Sequence, residues 1–167
     1  MKLTNYLRKF GLSLILACSM GALFAQSPSA PLRYADDLAA LGDIATSTRT
    51  PIMLVFTKPG CPFCVRAKKD HLEPLNADPA YTDKITLREI ETPNEQIPLR
   101  GFDGAMSTHA EFGRRYDVRT VPTVILVDGR GIALTEPLVG LNDADFDSLY
   151  LQQAIDAARL RLRAAAS

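Results

Sequence analysis

The 167-residue chain has no tryptophan, only two histidines and only three cysteines. Three cysteines cannot staple a disulfide scaffold, so a hydrophobic core must hold the domain together. An excess of one charge is also missing, since Lys+Arg and Asp+Glu both count 19. With no arginine-rich tract, that balance excludes nucleic acid as an expected partner. No internal repeat occurs, and Ala164-Ala165-Ala166 is the one low-complexity tract. The N-terminal apolar run is too short for a comfortable membrane span and is broken by Gly11, Ser13, Ser19 and Gly21. What is present, 47% hydrophobic and 23% charged residues, is ordinary globular usage for one domain.

The first 25 residues read as a secretory signal. Lys2, Arg8 and Lys9 give a positive start, Phe10 to Leu16 an apolar stretch, and Ala25 a small residue before Gln26-Ser27-Pro28. An uncleaved anchor and a lipoprotein acceptor at Cys18 are the alternatives. Cleavage after Ala25 removes three basic and no acidic residues, leaving 16 basic and 19 acidic, a net of −3. Cys61 and Cys64 then remain as a single close pair in a compartment where disulfides form, the expected location being the periplasm.

Residues 26–33 are Ser/Pro-rich and expected to be a flexible lead to a domain over 34–163. Tyr34, Leu38, Leu41 and Ala45 recur at helical spacing over about 34–46, with Asp36 and Asp37 in the first turn. Ile52 to Phe56 is an unbroken apolar run of strand length, fitting a strand buried on both faces. Pro62 suits a first helical position, Cys64 to Leu75 reads as helix, and Pro74 should end or kink it. Ile85, Leu87 and Ile90 suggest a second strand. Residues 92–107, with two prolines and two glycines and no periodicity, read as a long partner-facing loop. Ser107 or Thr108 caps a short helix through Tyr116. Thr123 to Val127 is a third strand, Asp128-Gly129 a turn, and 132–139 a returning fourth strand. Asn142 caps a final helix over about 143–162, with Asp143 and Asp145 in its first turn and Arg159, Arg161 and Arg163 at its end. This order describes an α/β layered domain.

Cys61-Pro62-Phe63-Cys64 stands between a buried strand and a helix. Unpaired amides at a helix start stabilise a thiolate, so Cys61 is the expected nucleophile of disulfide exchange. Cys64, one turn further in, should be more buried and can attack the mixed disulfide that Cys61 forms. Two other uses of the pair stay open. One is a static disulfide, although so short a loop gains little from a bridge. The other is half of a metal site with His71 and His109, although no second C-x-x-C or H-x-x-x-H exists. Thr120-Val121-Pro122-Thr123 follows at the mouth of a strand, with Pro122 61 residues after Cys61.

These two motifs carry a resemblance to the thioredoxin superfamily over roughly residues 34–160. Lys58 to Lys68, with Cys-Pro-Phe-Cys at its centre, is similar to the active-site stretch of glutaredoxins. Glu111 to Thr123 resembles the thioredoxin stretch leading to the cis-proline, and Val139-Gly140 also resembles thioredoxins. Phe102-Asp103-Gly104 resembles a loop of exported bacterial thioredoxin-like proteins, including those linked to sulfur-oxidation gene clusters. The resemblance implies a thioredoxin-like fold with a mixed four-stranded sheet flanked by helices. It makes Cys61 the attacking and Cys64 the resolving cysteine. Pro122 becomes the cis-proline that exposes the Val121 backbone to an extended substrate. Lys58, Pro62, Phe63 and Thr120 complete the expected substrate-binding surface. The chain departs from thioredoxins in lacking Trp-Cys-Gly-Pro-Cys and in placing Val55 at the position of their buried acid. The glutathione-binding Gly-Gly…Asp-Asp element of glutaredoxins is only faintly echoed at Gly140 to Asp143.

The implied activity is that of an exported thiol–disulfide oxidoreductase that reduces protein disulfides and draws on an upstream electron donor. No cofactor, no metal and no membrane insertion after signal cleavage are expected, and the protein should be a monomer. Oxidases of the superfamily carry a large helical insertion for which residues 92–107 are too short, so a dithiol oxidase is the alternative enzyme. A non-catalytic binding module or metal chaperone on the same fold is the alternative from another class.

Overall fold

The computed structural model describes residues 29–141 and 144–165. The expected leader, Cys18, the expected cap Asn142 and Asp143 lie outside what is described, as does the side chain of Asp145. Strand β1 (Ile52–Thr57) is buried at every position. Its neighbours explain why. It pairs in parallel with β2 (Thr86–Glu91) on one side and antiparallel with β5 (Thr123–Val127) on the other. The two-residue strand β6 (Leu138–Val139) completes a mixed four-stranded sheet in the order β2-β1-β5-β6.

Strand alternation splits the core in two. Met53, Val55, Leu87, Val124 and Leu126 pack under Ala67, Leu72, Leu151 and Ile155. On the other face Ile52, Leu54, Phe56, Ile90, Ile125 and Val127 pack against Leu38, Leu41, Leu99 and Phe112. Each fully buried side chain of this size contributes roughly 1.5–3 kcal/mol. The first face is covered by α2 (Pro62–Ala67) and α5 (Ala144–Ala164), the second by α1 (Leu38–Thr48) and α4 (His109–Arg115).

Helix α1 begins four residues later than its periodicity suggests, because Tyr34 serves the sheet. Glu89 donates its amide to the Arg33 carbonyl at 2.8 Å, and Ala35 donates to the Glu89 carbonyl at 2.9 Å. Asp37 is therefore the cap of α1, its carboxylate accepting the Ala40 amide at 2.9 Å. The helix expected from Cys64 to Leu75 is composite. After α2 comes a π-helical turn (Lys68–Leu72) and then α3 (Glu73–Ala77). Pro74 cannot donate and its ring crowds the carbonyl four residues back. The wider turn accommodates it, with Glu73 donating to the Lys68 carbonyl.

Residues 92–107 are not an unstructured loop. They hold a small hairpin, β3 (Pro98–Arg100) with β4 (Met106–Thr108). Leu99 anchors it in the core with no exposure. Thr108 then caps α4 in a capping box with Glu111. The returning strand expected over 132–139 shrinks to one bridge at Ala133 and to β6. Pro137 has no amide to give the ladder, which keeps the pairing short.

Candidate functional site

The site forms where β1 leaves the sheet. Thr57 is the last buried residue, and Lys58, Pro59 and Gly60 pass over the surface. Gly60 takes φ +68°, a left-handed conformation that glycine adopts without penalty. That turn sets Cys61 as the residue that caps α2. The Cys64 amide donates to Cys61 Sγ at 3.1 Å, and the Val65 amide donates to the Cys61 carbonyl at 3.1 Å. A helix start thus directs an N–H at the sulfur, and the same donor stabilises a thiolate once the pair is reduced.

Cys61 and Cys64 are joined as a disulfide, with Cα atoms 5.2 Å apart. Cys64 is 2% exposed and Cys61 4%, so the expected contrast in burial between them is slight in the oxidised state. Pro62 and Phe63 stand outside the pair, and Phe63 is 52% exposed beside the sulfurs. The Val121–Pro122 peptide bond is cis. It brings the Val121 carbonyl oxygen to 4.0 Å from Cys61 Sγ. Thr123 Oγ1 donates to the Thr120 carbonyl at 2.7 Å and Gly140 donates to the Pro122 carbonyl at 2.9 Å, which fixes this loop. Next to it lies a groove of about 390 Å³ lined by Lys58, Thr92, Pro93, Arg119, Thr120 and Val121 among others. The structure thus joins Lys58, Thr120 and Val121 in one concavity, with Pro122 buried behind it and Pro62 and Phe63 exposed between the cysteines.

The two histidines have other partners. His109 is fully buried, accepts the Glu91 amide at Nδ1 (2.9 Å) and donates from Nε2 to the Ala35 carbonyl (2.8 Å). Burial pushes its pKa down, against the opposing pull of the Ala35 carbonyl and the nearby Glu91 and Glu89 carboxylates. Nδ1 of His71 lies 3.1 Å from Ser148 Oγ. Among the described residues no cluster of three or more His, Cys, Asp or Glu side chains is placed to hold a metal ion.

Two features escape the sequence reading. One is a second cis peptide, Thr92–Pro93, at the groove wall. The other is Glu89. It is the register partner of Val55 and 4% exposed. Thr57 Oγ1 donates to its Oε1 at 2.7 Å, and Lys68 Nζ at 2.8 Å. The available signal was the acid at the next position of the 85–87 alternation, where an apolar residue belongs.

Residues 40–154 match the family model of the thioredoxin-like domain, and the chain belongs to that family. No curated protein matches its sequence. Among solved structures it is similar in fold to DsbH oxidoreductase, with a TM-score of 0.55 and 17% identity, covering 80% of this chain and 88% of that one. It is also similar to thioredoxin f from spinach chloroplast, with a TM-score of 0.52 and 18% identity over 80% of this chain and 98% of that one. Trxlp from Edwardsiella tarda gives a TM-score of 0.50 and 20% identity over 71% and 95%. Within this fold, a C-x-x-C pair at disulfide distance is suited to thiol–disulfide exchange.

Proposed function

We propose that the chain is an exported thiol–disulfide oxidoreductase that reduces protein disulfides through Cys61 and Cys64. The carrying observation is the placement of Cys61. Its sulfur receives a helix-start N–H and lies 4.0 Å from the Val121 carbonyl at the edge of a groove. A substrate segment lying extended along Thr120-Val121 presents its own disulfide to that sulfur. Cys61 attacks, a mixed disulfide forms and one substrate thiolate leaves. Cys64 then attacks Cys61, frees the second substrate thiolate and closes the bridge seen here. An upstream dithiol donor returns the pair to the reduced state. The small hairpin within residues 92–107, where the superfamily's oxidases carry a helical insertion, favours reduction over oxidation.

Cys64→Ser should trap substrate proteins as mixed disulfides through Cys61, and Cys61→Ser should trap few or none. Trapping through position 64 instead would reverse the assigned roles. No reduction of insulin disulfides by the wild-type dithiol would end the reductase reading. The export part rests on the N-terminal charge and apolar run. Mass spectrometry of periplasmic material should find a chain that starts at Gln26, and Met1 retained in cytosolic protein would refute it.

A further inference from the structure

The groove beside Cys61 is cationic, and its lining holds no acid. Lys58, Arg114 and Arg119 stand around it, while Pro93, Val118 and Val121 supply apolar surface. In a chain whose charges balance overall, three cations around one concavity are a local feature. The groove of about 410 Å³ that His71 lines has the opposite character, with Asp70 and Asp78 in its lining. The walls of the cationic groove are fixed. Thr92 donates both its amide (2.7 Å) and its hydroxyl (3.1 Å) to the Thr57 carbonyl, next to Lys58. Gly113 lets Thr92 close on α4, since a Cβ there would run into the Thr92 methyl group. Val118 donates to the Gly113 carbonyl at 3.2 Å and so ties the segment 118–121 to the helix. The two arginines are steadied by acids that are not part of the lining. Arg114 donates to Glu95 at 3.0 Å and Arg119 to Asp117 at 2.9 Å. Both pairs are exposed and contribute little, and each leaves further guanidinium N–H groups for a ligand. Lys58 forms no ion pair among the described residues.

We infer that this groove selects protein disulfides flanked by acidic residues, with Arg114, Arg119 and Lys58 receiving the carboxylates. This rests on the exchange reaction proposed above and names the class of segment that reaction takes. Val121 belongs both to the groove and to the approach to the sulfur, its carbonyl lying 4.0 Å from Cys61 Sγ. A segment paired along Thr120-Val121 therefore brings its cysteine to Cys61 and the residues on one side of that cysteine into the groove. Side chains of an extended segment alternate, so acids at every second position share the face that meets the cations. Each arginine can take a carboxylate with two parallel N–H bonds, and Lys58 adds a point charge near the cysteine end. A basic segment meets three like charges, so the groove rejects as well as selects. The attraction acts on encounter. Its effect falls on the rate of the first attack and weakens as salt rises.

Disulfide-linked peptides of one sequence, differing only in whether the residues around each cysteine are glutamate, glutamine or lysine, test this directly. Reduced full-length protein is mixed with each in a single turnover, and acid-quenched samples give the second-order rate constant. At about 20 mM salt the glutamate peptide should react about tenfold or more faster than the lysine peptide, with glutamine between them. The ratio should fall toward one at about 0.5 M salt. In Arg114→Glu/Arg119→Glu the order should invert, whereas Arg114→Lys/Arg119→Lys should keep most of the preference because it keeps the charge. Each rate is divided by that of the same variant with the uncharged disulfide dithiodipyridine, so that any change in Cys61 itself cancels. Glutamate and lysine peptides within about twofold of each other in the wild type would overturn the inference and leave the reductase reading standing. A preference that survives the double glutamate variant would do the same. Faster reaction with oxidised glutathione than with the glutamate peptide, lost in that variant, would assign the cations to a small anionic disulfide instead. Failure of every peptide, in a protein that reacts with dithiodipyridine, would sink the protein-disulfide reading and this inference with it.

Discussion

Acidification through the histidine range should destabilise this protein through His109. The ring is fully buried and both nitrogens are committed, Nδ1 as acceptor of the Glu91 amide and Nε2 as donor to the Ala35 carbonyl. A proton on Nδ1 would set two N–H groups against each other and place a charge in the core. Burial accordingly lowers the folded-state pKa. The unfolded ring titrates near about 6.5, so below that pH the unfolded chain gains a proton that the folded one refuses. His109 therefore contributes its full stability above about pH 6.5 and loses it as pH falls toward the depressed folded value. While the folded ring stays neutral, the loss between about pH 6.5 and 5.5 amounts to roughly 1 kcal/mol. Urea unfolding at a series of pH values would measure this for the wild type and for His109→Gln. The variant has a lower baseline but should lack the extra slope. The carboxylates of Glu91 and Asp37, whose pKa values are lowered by hydrogen bonds from Asn94 and from the Ala40 amide, lose their contribution only further down, below about pH 4.5. Parallel pH curves for wild type and His109→Gln would refute the argument.

Three further outcomes are expected. In Cys64→Ser, where the amide donor to Cys61 is retained, thiolate absorbance against pH should place Cys61 about one to two units below the free value of about 8.5, as one hydrogen bond to a charged sulfur contributes roughly 1.5–3 kcal/mol; a value at or above 8.5 would refute the helix-start account. Gly60→Ala should cost about 1–2 kcal/mol in denaturant unfolding, because φ +68° is strained for any side chain, and an unchanged midpoint would show that the turn relaxes. Replacing residues 101–105 by a two-residue turn should alter the ranking of protein substrates more than the melting temperature, and the opposite outcome would make the β3–β4 hairpin a purely structural element.

The sequence displays the central sheet and the redox pair plainly, since both rest on local patterns. The apolar run of β1, the break at Lys58-Pro59-Gly60 and the spacing of Cys61 and Cys64 are contiguous. Helix α4 is equally legible, because Thr108 and Glu111 form a box within one turn. What stays hidden depends on distant partners. Tyr34 sits in helical spacing with Leu38, yet its backbone joins Glu89, 55 positions away. Leu99 is the fully buried side chain of the hairpin, and one buried leucine among prolines and glycines is no periodic signal. Glu89 reads as an ordinary strand acid until Lys68 and Thr57 are seen beside it.

Residues 33–35, flanking β2, also determine how this molecule meets its own kind. The open rim of β2 would be a row of bare amides and carbonyls, the usual template for one chain to add to another. Arg33 and Ala35 occupy it by bonding both backbone groups of Glu89. Farther along the chain, Ser29 Oγ donates to Glu73 at 3.1 Å and Asn76 donates to the Ala30 carbonyl at 3.2 Å, pinning the strip at its other end. A version trimmed to residue 36 would lose that strip and present β2 bare. It would self-associate edge to edge, and the surface newly opened to a neighbouring chain would include the strand that carries Glu89.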